Sequence, residues 1–346
     1  NSQNYMFMAN LPINKVLYNK LSFAYNRTDG YFKNDFTGGK SNKSDSYDIR
    51  YQGSVFTDAT WKVAFGMNYN HSFDDGYAYH AIDSLKVHRH RVNYNADASY
   101  KRDLLSTYVN VQKHFSQTRL NWITSYSRAK DKQVLDADFT YHDVFQNGKE
   151  SKQDLITQEI NYQSSRGDKI DWTVGTFGFY KDLTNDYLAT FGTERHLLLP
   201  LDLDQALYYN NTSTWGIAGY GQVTVKNLLP GMFVTAGIRY DYEKASLSYR
   251  DSLLFHDADR FTGYHDWDEK HSYAAWLPKF SVLQKWNEQL STYLNISKGY
   301  KAGGYNIISN EMTTQVVELE YDKESLWNYE LGAKYFSVNG RFNVNG

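Results

Sequence analysis

Leu290-Ser291-Thr292-Tyr293-Leu294-Asn295-Ile296-Ser297-Lys298-Gly299-Tyr300-Lys301-Ala302-Gly303-Gly304-Tyr305-Asn306 is the stretch that decides the fold of this chain. Leu290, Thr292, Leu294 and Ile296 fall on one face of an extended segment, and Ser291, Tyr293, Asn295 and Ser297 fall on the other. The alternation then runs into Gly299, Gly303 and Gly304, a spacing no helix uses. Similar alternating segments recur along the whole chain.

The composition says what a chain of such segments is for. Aromatic residues make up 17% of the 346 residues, with 31 Tyr, yet the mean hydropathy is -0.66. So many rings in so polar a chain are expected when each strand alternates apolar and polar residues and the apolar half is rich in Tyr, Phe and Trp. Outer-membrane barrels with aromatic girdles have this composition. The longest apolar run, His196 to Leu201, contains Pro200 and falls far short of the ~18 residues of a membrane helix. Cysteine is absent, which removes disulfides and thiolate metal sites. A net charge of -2, with Lys and Arg spread along the chain, leaves no electrostatic footprint for nucleic acid. The chain opens without a signal-peptide pattern, in what reads as the middle of a strand.

About fourteen strand-like segments are legible. They are Gln3 to Ala9, Val16 to Asn26, Tyr47 to Phe56, Trp61 to Asn70, Leu104 to His114, Arg119 to Ala129 and Leu155 to Ser165. Lys169 to Asp182, Ser213 to Lys226, Met232 to Glu243, Ser272 to Lys285, Leu290 to Tyr300, Ser325 to Phe336 and Arg341 to Gly346 complete the set. In the fourth, Trp61, Val63, Phe65, Met67 and Tyr69 oppose Lys62, Ala64, Gly66, Asn68 and Asn70. The connections alternate short and long without a break, provided that His71 to Asp103 is one loop; a strand near Val92 to Tyr100 would spoil the parity. Long connections gathered at one end and short ones at the other are the mark of an outer-membrane barrel with periplasmic turns and extracellular loops. The predicted fold class is therefore all-β, a transmembrane antiparallel β-barrel.

At this point three stretches resemble the TonB-dependent outer-membrane receptors, particularly the siderophore-type members. Ser297-Lys298-Gly299-Tyr300-Lys301-Ala302-Gly303-Gly304-Tyr305-Asn306 resembles the family's S-x-G-[YF]-K-x-G-G-[FY]-N segment. Trp327-Asn328-Tyr329-Glu330-Leu331-Gly332-Ala333-Lys334, followed by Asn339-Gly340-Arg341-Phe342, is similar to its N-Y-E-x-G-x-K strand and x-G-R hairpin. Asp29-Gly30-Tyr31-Phe32-Lys33-Asn34 is similar to the D-G-Y-x-x-N near the start of the family's barrel. Tyr300-Lys301-Ala302-Gly303 departs from the Y-R-A-P-like segment common in haem and cobalamin receptors, and so tilts the implied ligand toward a ferric siderophore.

The resemblance implies a barrel of about 22 strands around a plug, of which residues 1–346 would supply about fourteen. The plug, the TonB box and the carboxy-terminal strands are expected outside this chain. The implied partners are the TonB complex acting through that plug, outer-membrane lipid and lipopolysaccharide, and a siderophore or other large solute. No cofactor is implied. The family-motif positions Gly299, Gly303, Gly304, Tyr329, Glu330 and Gly332 read as structural, and Tyr300, Lys301, Tyr305 and Asn306 as the candidate ligand-binding residues, since they stand where a strand becomes a long outer loop.

Each motif also has a plainer reading. The glycines lack the G-K-[ST] ending and following helix of a phosphate loop; glycine in a strand more often admits a bend or the close approach of another backbone, here conceivably the plug. Lys301 beside aromatic rings suits an anionic or catecholate ligand, yet Lys and Tyr are also ordinary interface anchors. The basic group His88, Arg89, His90 and Arg91, and the acidic one from His256 through Asp257, Asp259, His265, Asp266 and Asp268 to His271, have no regular ligand spacing and read as solvated loops. Arg166-Gly167-Asp168 falls on the short-turn side and reads as a turn rather than an adhesion signal. Pro12, Pro230 and Asn339-Gly340 are hairpin chemistry. There is no G-x-S-x-G elbow and no H-E-x-x-H, so an enzyme is not expected. TonB-coupled uptake of a ferric siderophore is the favoured function. The alternatives are uptake of an oligosaccharide or vitamin, or a passive porin or barrel enzyme of another class.

Overall fold

The computed structural model describes the chain except for residues 59, 77, 80–89, 166, 199–201, 257–260, 306–319 and 338–341, and the side chains of 263 and 264. Fourteen strands form one antiparallel sheet in which each strand pairs with the next in sequence. We label them β1 (Ser2–Pro12), β2 (Leu17–Thr28), β3 (Ser44–Phe56), β4 (Trp61–Asp74), β5 (Ser99–His114), β6 (Thr118–Asp136) and β7 (Phe145–Ser164). The second half is β8 (Ile170–Phe191), β9 (Leu203–Lys226), β10 (Met232–Phe255), β11 (Thr262–Lys285), β12 (Leu290–Lys301), β13 (Glu324–Phe336) and β14 (Asn343–Asn345). Each expected segment coincides with a strand, the last only over Asn343–Asn345, and the short and long connections alternate. Arg91–Val92 does form a short strand inside the second long loop. It pairs in a separate three-stranded sheet with Phe32–Asn34 and Lys40–Ser41, so the parity survives.

The short-turn ends lie within a few residues of their expected positions because local chemistry fixes them. The Asn14 carboxamide accepts hydrogen bonds from the N–H groups of Val16 and Leu17, both at 2.8 Å. Asp58 does the same for Thr60 and Trp61, at 2.6 and 2.9 Å, and Asn287 for Gln289 and Leu290, at 2.9 and 2.7 Å. An Asx side chain that binds the backbone two and three residues ahead replaces a backbone turn. In the turn after β9, Asn227 and Gly231 adopt positive φ (54° and 75°), which these residue types tolerate best.

The other ends lie well beyond the predicted ones. β8 continues to Phe191 instead of stopping at Asp182, β9 begins at Leu203 instead of Ser213, and β10 runs to Phe255 instead of Glu243. β9, β10 and β11 each hold 24 residues, against the ~10 that cross a membrane. Much of the expected long loops Leu183 to Thr212 and Lys244 to His271 is therefore hairpin. In β9 the run Asn210 to Thr214 is polar on both faces, so the period-2 signal of a half-buried strand is missing there. In β10 the signal is present, with Ala245, Leu247 and Tyr249 buried between Lys244, Ser246, Ser248 and Arg250, inside a stretch expected to be loop.

The two faces of the sheet differ in chemistry. Ile156, Tyr180, Trp215, Ile217, Val223, Ile238, Trp276 and Phe280 are exposed on one face. There Tyr240 packs on Trp276 with centroids 4.6 Å apart, and Trp215 on Tyr242 at 5.6 Å. The opposite face carries Asn121, Ser125, Thr157, Tyr220, Gln222, Arg239 and Asp241. Rings on this polar face lie over glycines directly opposite them in register. A Cβ on Gly175 would stand 2.4 Å from the Tyr220 ring, and one on Gly332 2.4 Å from the Tyr293 ring. Only glycine leaves room for a ring flat against the wall at these two positions.

Candidate functional site

The long-loop rim is stitched laterally from one hairpin to the next. The first loop joins the second through the pairs Lys33 with Arg91 and Asn34 with Val92. The Asn34 amide donates to the Tyr94 carbonyl at 2.9 Å, Arg91 is forked onto Asp35, and the Ser41 and Tyr94 hydroxyls share a hydrogen bond. The second joins the third at Asp136, 2% exposed, whose carboxylate accepts from the N–H groups of Ala96 at 3.2 Å and Phe139 at 2.9 Å. In the next link Asp143 accepts from Thr193, and Glu194 accepts from the Asp143 N–H and from His142, each at 3.0 Å. The His142 hydrogen bond, then that of Asp143, holds the Glu194 carboxyl below its ordinary range. The Asp202 carbonyl accepts from His256 at 2.7 Å, and Glu320 sits 2.6 Å from His271. Each loop thus leans on a neighbour.

Beneath this rim the polar face turns aromatic. Ala189, Phe191, Leu203 and Ala206 are buried together with Phe145, Tyr208 and Leu253 packed on them. Beside them Ala245, Leu247, Tyr249 and Tyr305 form a second cluster flanked by Tyr208 and Trp267. Tyr249 stacks on Trp267 with centroids 4.9 Å apart, and its hydroxyl donates to Asp251 at 3.0 Å. Lower down, the Tyr220 hydroxyl reaches across β8 to Glu159 at 2.5 Å, and Arg239 is forked onto Asp241 at 2.7 Å while facing the rings of Phe177 and Tyr220.

The structure separates the four expected ligand residues. Tyr300 is the next-to-last residue of β12, half-buried, in the field of Asp241, Glu243 and Arg239. Lys301 points into its own surroundings: Nζ lies 5.4 Å from the Tyr321 ring centroid and 3.7 Å from Glu324. Tyr305 is 8% exposed, inside the second cluster. Burial, followed by the nearby Tyr273 and Glu320, pushes its phenol up to about 12. Asn306 lies outside the described residues.

Among the motif glycines, Gly303 and Gly304 do admit a close neighbour, and it belongs to this chain. A Cβ on Gly303 would meet the Tyr321 carbonyl at 2.4 Å and the Tyr273 ring at 2.5 Å, and one on Gly304 the Tyr321 hydroxyl at 2.5 Å. Gly299 has only the Leu326 side chain near it, at 3.6 Å. Tyr329 is exposed on the apolar face, stacked on Trp327, and Glu330 accepts from the Tyr293 hydroxyl at 2.8 Å.

No group of three or more potential ligands that could hold a metal occurs among the described residues. His256, His265 and His271 face different partners, namely Asp204, Asp251 and Glu320. His90 packs on Tyr31 and Phe32; His88, Arg89, Asp257 and Asp259 lie outside the described residues, as do Arg166 and Asn339-Gly340. The residues the sequence reading missed are Asn210, Thr212, Tyr249 and Trp267. For Asn210 and Thr212 the only signal is an inward set at every second position in a polar run; for Tyr249 it is the alternation Ala245, Leu247 and Tyr249, which falls in an expected loop.

The chain matches the family described as TonB dependent receptor-like, beta-barrel, over residues 7–346. Among solved structures it is similar to the ferric yersiniabactin uptake receptor FyuA of Yersinia pestis, with a TM-score of 0.81 and 17% identity, covering 97% of this chain and 50% of that one. It is also similar to the siderophore receptor PiuA of Acinetobacter baumannii, with a TM-score of 0.73 and 10% identity over 99% of this chain and 54% of that one. For the ferric-catecholate import receptor Fiu of E. coli K12 the TM-score is 0.68, at 12% identity over 99% and 55%. At these identities the likeness is one of fold, and the chain spans about half the length of each of these structures.

Proposed function

The chain belongs to the TonB-dependent receptor β-barrel family, and on that premise we propose that it forms part of the wall of a receptor that captures a ferric siderophore and imports it with TonB-coupled energy. Members of the family are bacterial outer-membrane proteins, so the apolar face meets lipid, the short turns are periplasmic and the stitched loops face outward. The structural neighbours are receptors and transporters, and uptake of this kind needs neither a covalent step nor a resident cofactor. The TonB complex, acting on a plug domain, would be the source of energy. Lipid and lipopolysaccharide are the expected surroundings of the apolar face.

The observation that carries this reading is the aromatic lining of the inner face beneath the rim, where Tyr208, Tyr249, Trp267 and Tyr305 converge. Ring-lined walls with a few polar groups suit a large, partly apolar chelate better than a free ion or a small sugar. Three structural neighbours described as iron-siderophore receptors support the same class. Radiolabelled iron uptake by iron-starved cells carrying the complete gene tests it. Uptake that depends on both the receptor and TonB is expected. Induction and uptake confined to a glycan or a vitamin would replace the cargo while keeping the family.

A further inference from the structure

Among the described residues, the Asn210 amide and the Thr212 hydroxyl on the inner face of β9 are buried without a hydrogen-bond partner, and both sit beside the slot filled by Tyr305. Asn210 is 1% exposed, with neither its amide oxygen nor its amide nitrogen satisfied, and the buried hydroxyl of Thr212 is equally unpartnered. In the register of β9 with β10, Asn210 stands opposite Tyr249 and Thr212 opposite Leu247. Tyr249 and Leu247, with Ala245, are the residues against which the Tyr305 ring is buried. A buried polar group without a partner is destabilising, so adjacent ones in a native wall call for a function or a filler.

From this arrangement we propose that the slot is a subsite for the aryl head of the siderophore, a phenol or catechol, and that Tyr305 occupies it until the ligand arrives. The inference rests on the uptake reading above and narrows its ligand class. The slot already holds a phenol ring, and Tyr305 stands in for the head group that replaces it. Ala245 and Leu247 give the slot an apolar floor, and the stacked pair Tyr249 and Trp267 closes one side. Asn210 offers one acceptor and two donors, and Thr212 a hydroxyl that does either. Together they match a ring bearing adjacent oxygens or a ring-bound amide, functions that Tyr305 does not have. An aliphatic hydroxamate or a citrate chelate would leave the slot unfilled.

Tyr305 sits on a short strand. Gly304–Tyr305 makes two register pairs with Glu320–Tyr321; around them the His271 ring meets Tyr305 edge-on at 6.0 Å, Glu320 reaches His271 and the Tyr273 hydroxyl, Lys301 faces the Tyr321 ring, and Lys323 donates to the Ala274 carbonyl at 2.8 Å.

The test uses the receptor expressed from its complete reading frame in outer-membrane vesicles. Binding of the ferric complex of dihydroxybenzoyl-serine is followed by tryptophan fluorescence, with ferrioxamine B as the aliphatic control. The catechol complex is expected to bind the more tightly. Asn210→Leu should weaken it about tenfold, and Thr212→Val about threefold, because each leaves ligand oxygens unpaired. Neither should change the affinity for any aliphatic chelate that binds. Tyr305→Ala should tighten catechol binding several-fold by vacating the slot. Asn210→Leu should leave the thermal midpoint of the empty receptor unchanged or raised, which separates lost recognition from lost folding. A catechol affinity indifferent to Asn210→Leu in a folded receptor, as when water alone fills the slot, would overturn the subsite. So would loss of binding in Tyr305→Ala, or binding of the aliphatic chelate alone. A wild-type receptor that binds no ferric chelate of any class would instead sink the uptake reading, and the subsite with it.

Discussion

At the periplasmic end Asn14, Asp58 and Asn287 each close a hairpin by binding backbone no more than three residues ahead, whereas at the outer end Asp136, Asn34 and Glu194 bind groups 40, 60 and 51 residues away. Both ends satisfy backbone groups, as buried or half-buried chain must, but they are different kinds of structure. A periplasmic turn carries its own stability and fails alone. The outer rim is a chain of mutual supports in which one loop orders the next, so that damage at one link spreads to its neighbours. That arrangement presents side chains from several hairpins as one surface.

Substitutions can break this contrast. Asp136→Ala is expected to have the largest effect, about 2 to 3 kcal/mol, because it leaves the N–H groups of Ala96 and Phe139 unpaired in a buried place. Hydrogen exchange should show protection lost in both the second and third outer loops; loss confined to one loop would refute the linked rim. Asn34→Ala removes the bond to the Tyr94 carbonyl and is expected to cost about 1 to 2 kcal/mol, again with exchange rising in two loops. At the opposite end Asn287→Ala should cost only about 0.5 to 1 kcal/mol, the scale of a lost side-chain cap, and exchange should rise in residues 286–290 alone. The smallest effect expected is one of pH. The Glu194 carboxyl is held below its ordinary range in the folded protein, so its contribution is present above the unfolded value near 4.5 and fades as the pH falls through its folded value. Peptic cleavage within residues 192–198 should rise over that acid window and should lose its pH dependence in Glu194→Gln.

Most of the wall is legible in the sequence. Trp61 to Tyr69 and Val234 to Tyr242 alternate because one face meets lipid and the other does not, and alternation is a property of sequence. The Asx and Gly turns announce themselves in the same way. In β9 the outer extension escaped because the run from Asn210 to Thr214 lies above the lipid and is polar on both faces, while in β10 the alternation of Ala245, Leu247 and Tyr249 with Ser246 and Ser248 was present but fell in an expected loop. The candidate site was legible in part: Tyr305 was identified from its motif, but it lies in a buried ring slot rather than beside Lys301, whose charge is met by Glu324 and Tyr321.

The stretch from Leu290 to Tyr305 divides along the same line. Its alternation by itself determined a strand with one apolar face, because the period of a strand is a local property; the family was carried by the resemblance of its Ser297 to Asn306 motif and is shown by the match over residues 7–346. Only the tertiary structure decided that Gly303 and Gly304 make room for Tyr321 and Tyr273, and that Tyr305 is buried against Leu247 and Tyr249 beside Asn210. Those neighbours arrive from strands far away in the chain, and register, which no single strand encodes, sets which of them meet.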